Sequence, residues 1–262
     1  MPHTAPVDYS LLDHPYVLAS LFHPRPSYGP SSSAAARDIV IPVAENAVIG
    51  GRFHITSPTG VNILFFHGNG EIVDDYDDLG PVYNQLGINF LAVDYRGYGN
   101  STGSPTTSAM LADCHVIFKF VNGWLKDNGH SGALIVMGRS LGSAPALELA
   151  SHYPNTIAGL IIESGFAYTG PLLRLIGIDN DALGFQESQG VGNLEKIKTF
   201  AKPTLIIHAE FDHIIPFADG QALYDASPAM NKQLLKIPNA NHNDILSLGI
   251  QQYMKAVKAF CE

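Results

Sequence analysis

Ala133-Leu134-Ile135-Val136-Met137-Gly138-Arg139-Ser140-Leu141-Gly142-Ser143-Ala144-Pro145-Ala146-Leu147-Glu148-Leu149-Ala150 is the stretch that decides the fold. Its first five residues form a continuous apolar run, which reads as a strand buried on both faces. Its last eight read as a helix. Between them lies G-x-S-x-G, the pattern of a serine carried on a tight strand-to-helix turn. The flanking glycines have a steric reason: a side chain at either position would crowd the neighbouring strand and helix. The hydroxyl of Ser140 is left at the mouth of the sheet as a nucleophile.

The rest of the chain repeats this rhythm. Segments 38–43 and 49–55 read as an antiparallel pair, and 61–66, 88–94, 133–138, 158–163, 204–208 and 233–237 read as further strands. Helical patterns fall at roughly 75–86, 106–126, 141–152, 217–227 and 244–260. Apolar strands alternating with helices predict an α/β fold, a mostly parallel sheet with helices on both faces. The domain is expected over 37–262, preceded by an irregular arm, 1–36, that holds one short apolar helix at 16–22. Between strands, 164–201 is unusually long and is expected to form a small cap, with a plain crossover as the alternative.

Composition narrows the class. The chain has 262 residues, 46% of them hydrophobic, enough for one large domain with a real core. Lys and Arg number 15 against 24 Asp and Glu, so the formal charge is 15 − 24 = −9, which argues against nucleic acid or an anionic membrane as the partner. Two isolated cysteines, Cys114 and Cys261, suit a reducing compartment. The N-terminal residues lack the basic start and apolar core of a signal peptide, no run is long enough for a membrane span, and a cytoplasmic location without a membrane anchor is expected. Oligomeric state is not readable.

A serine hydroxyl needs a base, and the base needs an orienting carboxylate. Asp212 stands just past the strand at 204–208, where this architecture places its loops of function. Glu210, Asp219 and Glu163 are rivals. His242 lies in the loop after the last strand, with His208 and His213 as rivals. The oxyanion that forms on a carbonyl needs two backbone N–H donors. Leu141, the residue after the nucleophile, supplies one. The other comes from His67-Gly68-Asn69-Gly70, with Asn69 preferred, Gly70 second, and His67 bracing the loop. Gly70, Phe166, Leu172 and Phe185 are the candidate substrate-binding residues, although the aromatic and aliphatic groups of 166–185 equally suit a small core of that segment. Asp94 to Ser101 is glycine- and aromatic-rich but lacks a dinucleotide register, so Asp94 and Arg96 are expected to brace loops. Asp74, Asp75, Asp77 and Asp78 lack the pattern of a calcium loop and are expected at a helix start. No Cys/His cluster along the chain suggests zinc, and neither metal nor cofactor is expected.

Taken together, the HGNG run at 67–70, DYRGYGNS at 94–101, GRSLGS at 138–143, EFDHIIP at 210–216 and NANHND at 239–244 resemble the α/β-hydrolase superfamily over about 37–262. The pattern is most similar to a compact serine-hydrolase branch that includes protein depalmitoylases and bacterial esterase-like or peptidase-like proteins. Ser143 replaces the small residue usual in that branch, and the N-terminus lacks the lipidated cysteine cluster of the depalmitoylases. The resemblance implies a Ser140–His242–Asp212 triad that cleaves a small carboxylic ester or thioester through an acyl-enzyme. A peptidase or amidase acting on short peptides is the alternative. A non-catalytic binding protein would be expected to have lost a triad member. The residue itself excludes relatives whose nucleophile is Asp or Cys.

Overall fold

The computed structural model describes residues 8–31, 33 and 36–262. Eight strands form one sheet: β1 Ala36–Ala44, β2 Ala47–His54, β3 Asn62–Phe66, β4 Asn89–Val93, β5 Leu134–Arg139, β6 Gly159–Glu163, β7 Thr204–Ala209 and β8 Lys232–Ile237. Their order is β1-β2-β4-β3-β5-β6-β7-β8. β1 and β2 pair antiparallel and join β4 antiparallel, while β4, β3, β5, β6, β7 and β8 are mutually parallel. Every residue of β3 to β7 is buried. That is why these strands carry continuous apolar runs rather than alternation.

The helices are α1 Pro15–Leu21, α2 Gly80–Gln85, α3 Thr107–Asp127, α4 Ser143–His152, α5 Thr169–Leu175, α6 Asn180–Leu183, α7 Asn193–Ile197, α8 Phe217–Ala226 and α9 Ile245–Cys261. They divide the core in two. On one face of the sheet Leu64, Val136 and Ile162 pack with Ile117, Val121, Leu147 and Ile197. On the other, Ile63, Phe65, Ile135 and Ile207 pack with Tyr83, Tyr253 and Val257. The successive residues of β3 thus serve opposite layers, as a pleated strand requires.

Three local outcomes refine the sequence expectations. The helix expected over 75–86 is a 3₁₀ turn, Val73–Tyr76, followed by α2. Asp74 and Asp75 lie in the first turn of that 3₁₀ segment, ahead of α2. Asp74, Asp77 and Asp38 also surround the buried Arg52 guanidinium at 2.7–3.1 Å, and Asp75 pairs with Arg25. The stretch 164–201 holds α5, α6, a 3₁₀ turn at Glu187–Gln189 and α7. Residues 8–31 run across the mouth of the sheet. Val17 and Leu21 of α1 are buried, the Tyr16 hydroxyl donates to the Gly177 carbonyl at 3.1 Å, and Pro26 bridges Gly99.

Candidate active site

The strand β5 delivers Ser140 into a turn whose geometry the glycines permit. A Cβ on Gly138 would lie 2.1 Å from the Gly142 carbonyl oxygen, and a Cβ on Gly142 would lie 2.1 Å from the Phe66 carbonyl oxygen. Neither position can carry a side chain without moving backbone. Ser140 itself has φ +51°, in the left-handed region that a non-glycine residue occupies at a cost of order 1–3 kcal/mol. Ser143 contributes directly: its Oγ donates to the Ser140 carbonyl at 2.7 Å and helps hold the turn.

Two other loops meet this turn. After β8, His242 directs Nε2 at Ser140 Oγ, 3.0 Å away, and Nδ1 at Asp212 Oδ2, 2.7 Å away. Asp212 follows β7, and its Oδ1 accepts the amides of Ile214 and Ile215 at 3.0 and 2.8 Å. Burial raises the Asp212 carboxyl. The hydrogen bond and charge of His242, with the Ile215 amide, outweigh that and leave it below the ordinary carboxylate range. The structure thus brings Ser140, His242 and Asp212 into one hydrogen-bonded line, with all three side chains largely buried.

The rivals have other partners, although His208 Nε2 also lies 3.6 Å from Asp212 Oδ2. Glu163 accepts from Arg139 at 2.7 Å and from the Tyr253 hydroxyl at 2.6 Å. Asp219 accepts the Ala167 amide, and Glu210 meets Lys236 and the Asn239 amide. His208 is fully buried with Nε2 2.8 Å from the Ile215 carbonyl, and burial holds its pKa below the usual imidazole value. His213 is exposed and lines a cavity with Phe166, Ile214 and Ile215.

The loop after β3 is fixed from several sides. His67 is fully buried, with Nδ1 2.8 Å from the Gly68 carbonyl and Nε2 3.2 Å from Asp94. The Asn69 side-chain oxygen accepts the His23 amide at 3.0 Å and the Tyr98 hydroxyl at 2.8 Å. Gly70 has φ +74°, and its carbonyl accepts Arg25 Nε. Arg96 forms a two-pronged pair with Asp113 at 2.7 and 2.8 Å, in keeping with a bracing role.

Phe166 and Leu172 line two adjoining apolar spaces. The outer one, about 120 Å³, also has Tyr168, Leu175, His213 and Ile214 in its wall. The inner one, about 10 Å³, is walled by Leu12 and Leu21 of the N-terminal segment, Met110, Val191 and Leu141. The inner space therefore reaches the residue beside the nucleophile. Phe185 lines neither space; it packs beside Gly170 within 164–191. Gly70 lines neither.

Sequence reasoning missed Arg139, the variable residue of the motif. Its buried guanidinium donates to Glu71 at 2.8 Å, to Glu163 at 2.7 Å and to the His242 carbonyl at 3.0 Å. Glu71 in turn accepts the Gly68 amide and the Tyr76 hydroxyl, both at 2.6 Å. Burial raises the Glu71 carboxyl, but Arg139 and Tyr76 pull it down to about 2. One ion thus ties the serine turn, the His67–Gly70 loop and the His242 loop together. An Arg followed by Ser carries no signal of this, because its partners are 68, 24 and 103 residues away.

This order of elements, with a serine turn after β5, an acid after β7 and a histidine after β8, belongs to a known class. A family model described as serine aminopeptidase, S33, matches residues 57–177. The human alpha/beta hydrolase domain-containing protein 17B is 30% identical over 207 residues, covering 76% of this chain and 65% of that protein. An uncharacterised protein of Mycobacterium tuberculosis is 28% identical over 252 residues, covering 90% and 84%. An uncharacterised membrane protein of Saccharomyces cerevisiae is 31% identical over 172 residues, covering 63% and 58%. Among solved structures, the Pyrococcus furiosus esterase Pf2001 superimposes with a TM-score of 0.72 at 20% identity, covering 92% of this chain and 97% of that one. A soluble variant of monoglyceride lipase from Saccharomyces cerevisiae does so with 0.69 at 17%, covering 90% and 99%. The chain has the α/β-hydrolase fold. No helix among the described residues is long and apolar enough to cross a membrane.

Proposed function

We propose that this protein is a serine hydrolase that cleaves a small carboxylic ester or thioester through an acyl-enzyme. The observation that carries the proposal is the unbroken line from Asp212 through His242 to Ser140 Oγ. In this reading His242 Nε2 takes the Ser140 proton as Oγ attacks the carbonyl carbon. Negative charge moves onto the carbonyl oxygen, where the amides of Leu141 and Asn69 stabilise it; each such donor is worth about 10²–10³ in rate. His242 then gives the proton to the leaving oxygen or sulfur. Water, deprotonated by the same imidazole, releases the acid and restores the serine. Asp212 holds the imidazole in the productive tautomer and offsets its charge.

The apolar walls that Phe166 and Leu172 form beside Leu141 support an aliphatic or aryl acyl chain over a charged one; the outer space of about 120 Å³ has room for part of such a chain, whereas the inner one of about 10 Å³ must widen to admit it. The esterase and lipase identities of the structural neighbours support the same direction. The free thiols of Cys114 and Cys261 support a reducing compartment such as the cytoplasm.

The aminopeptidase description of the matching family favours a second reading, cleavage of short peptides or amides by the same three residues. A panel of p-nitrophenyl esters and acyl thioesters of graded length, run beside aminoacyl p-nitroanilides, separates the two. Ester or thioester turnover exceeding anilide turnover is the expected result. Anilide turnover with inert esters would replace it with the peptidase reading.

A further inference from the structure

At the far end of α4 from the serine, three side chains that the hydrolytic reading does not use converge. Glu148 and His152 lie one turn apart on α4, and His115 faces them from α3. Glu148 Oε1 is 3.3 Å from His115 Nε2 and 3.2 Å from His152 Nδ1, and the three atoms all lie within 4.8 Å of one another. A tetrahedral ion with bonds of about 2.0–2.1 Å to nitrogen and oxygen separates neighbouring ligand atoms by roughly 3.3 Å. The two separations to Glu148 Oε1 already match that spacing.

The surroundings suit ligands. Lys196 Nζ sits 2.5 Å from the other carboxylate oxygen, Oε2, leaving Oε1 for the imidazoles. The Tyr153 hydroxyl lies 3.1 Å from His115 Nδ1. A proton on Nδ1 donated to that oxygen turns the Nε2 lone pair toward Glu148, the outer contact that commonly orients a metal-bound histidine. His152 is half exposed, which gives solvent access and a position for water. The contacts an ion would displace are those of His152 Nδ1 to the Glu148 carbonyl at 3.0 Å and to Ser151 Oγ at 3.2 Å.

We propose that His115, Glu148 and His152 form a site for a divalent transition ion of the zinc type, clamping α3 to α4. Two imidazoles and one carboxylate favour such an ion over calcium or magnesium, which prefer all-oxygen shells. The Lys196 charge moderates its affinity. Sequence spacing hides the group, because His115 stands 33 residues from Glu148 on a different helix.

The test is titration of chelator-treated protein with Co²⁺ and then Zn²⁺, followed by visible absorption, calorimetry and thermal melting. The proposal expects one equivalent of Co²⁺ with ligand-field bands, displacement by Zn²⁺, and a raised Tm. His152→Ala, which changes a half-exposed residue and leaves the core intact, should weaken binding at least about tenfold, and Glu148→Gln should do the same. Absence of stoichiometric binding to the unaltered protein overturns the proposal. So does unchanged affinity in His152→Ala, which would assign the ion to other histidines.

Discussion

At the scale of single residues, the proposed chemistry rests on Ser140, His242 and Asp212, but the geometry rests equally on Arg139. Its guanidinium links the serine strand to the His242 loop and, through Glu71, to the Gly68 amide. Arg139→Ala would leave Glu71 and Glu163 buried without their counter-ion, a loss of about 3–5 kcal/mol in stability. Arg139→Lys is the more informative change. It keeps the charge but cannot reach three acceptors with one ammonium. We expect a folded protein with lowered kcat, little change in KM, and partial loss of protection at the His242 loop in hydrogen exchange. Unaltered kcat in folded Arg139→Lys would make Arg139 purely structural. The hydrogen-bonded line of Ser140, His242 and Asp212 was legible because each follows a strand end in the order the proposed reaction needs. Arg139 was not, because its role arises from contacts between distant loops and leaves no local pattern.

At the scale of elements, the N-terminal segment does more than pack. Leu12 and Leu21 close the inner apolar space beside Leu141, and the same segment ties to the Asn69 side chain through the His23 amide. Leu21→Ala would cost about 2–5 kcal/mol if its site stays open, and it lengthens the space available to an acyl chain. The ester panel should then shift its kcat/KM maximum toward longer chains. A stability loss with an unshifted profile would show that the chain does not enter there. The sequence marked the α1 helix from its apolar run, but its neighbours lay beyond reach, since they sit in α3, the Leu141 turn and the 166–191 stretch. The acidic run at 74–78 was placed only in part, for a related reason. Asp74 and Asp75 do stand at a helix start, in the first turn of the 3₁₀ segment Val73–Tyr76, but the tertiary pull of Arg52 and Arg25 also draws Asp74, Asp75 and Asp77 into ion pairs.

At the scale of the whole molecule, buried titratable groups set one direction of pH response. Glu71 and Glu148 are held at about 2 against an ordinary 4.5, so their contribution is complete above about 4.5 and is lost as pH falls toward 2. Burial lowers His54 and His208 from 6.5, so the unfolded chain takes up those protons first, and stability declines as pH falls below about 6.5. All four act in the same sense. The urea midpoint should be steady from pH 7 to 8, fall below pH 6.5, and fall more steeply below 4.5; a midpoint that rises on acidification would contradict these assignments. The mainly parallel sheet with its two-sided core was legible from the continuous apolar strands, and on it the three loops of the site converge. That convergence is the central claim, and trapping the covalent intermediate tests it most directly. Intact mass after reaction with a fluorophosphonate or a slow p-nitrophenyl ester should show one adduct, mapped by peptide sequencing to Ser140 and absent in Ser140→Ala. An adduct on another residue, or labelling that persists in Ser140→Ala, would contradict the account.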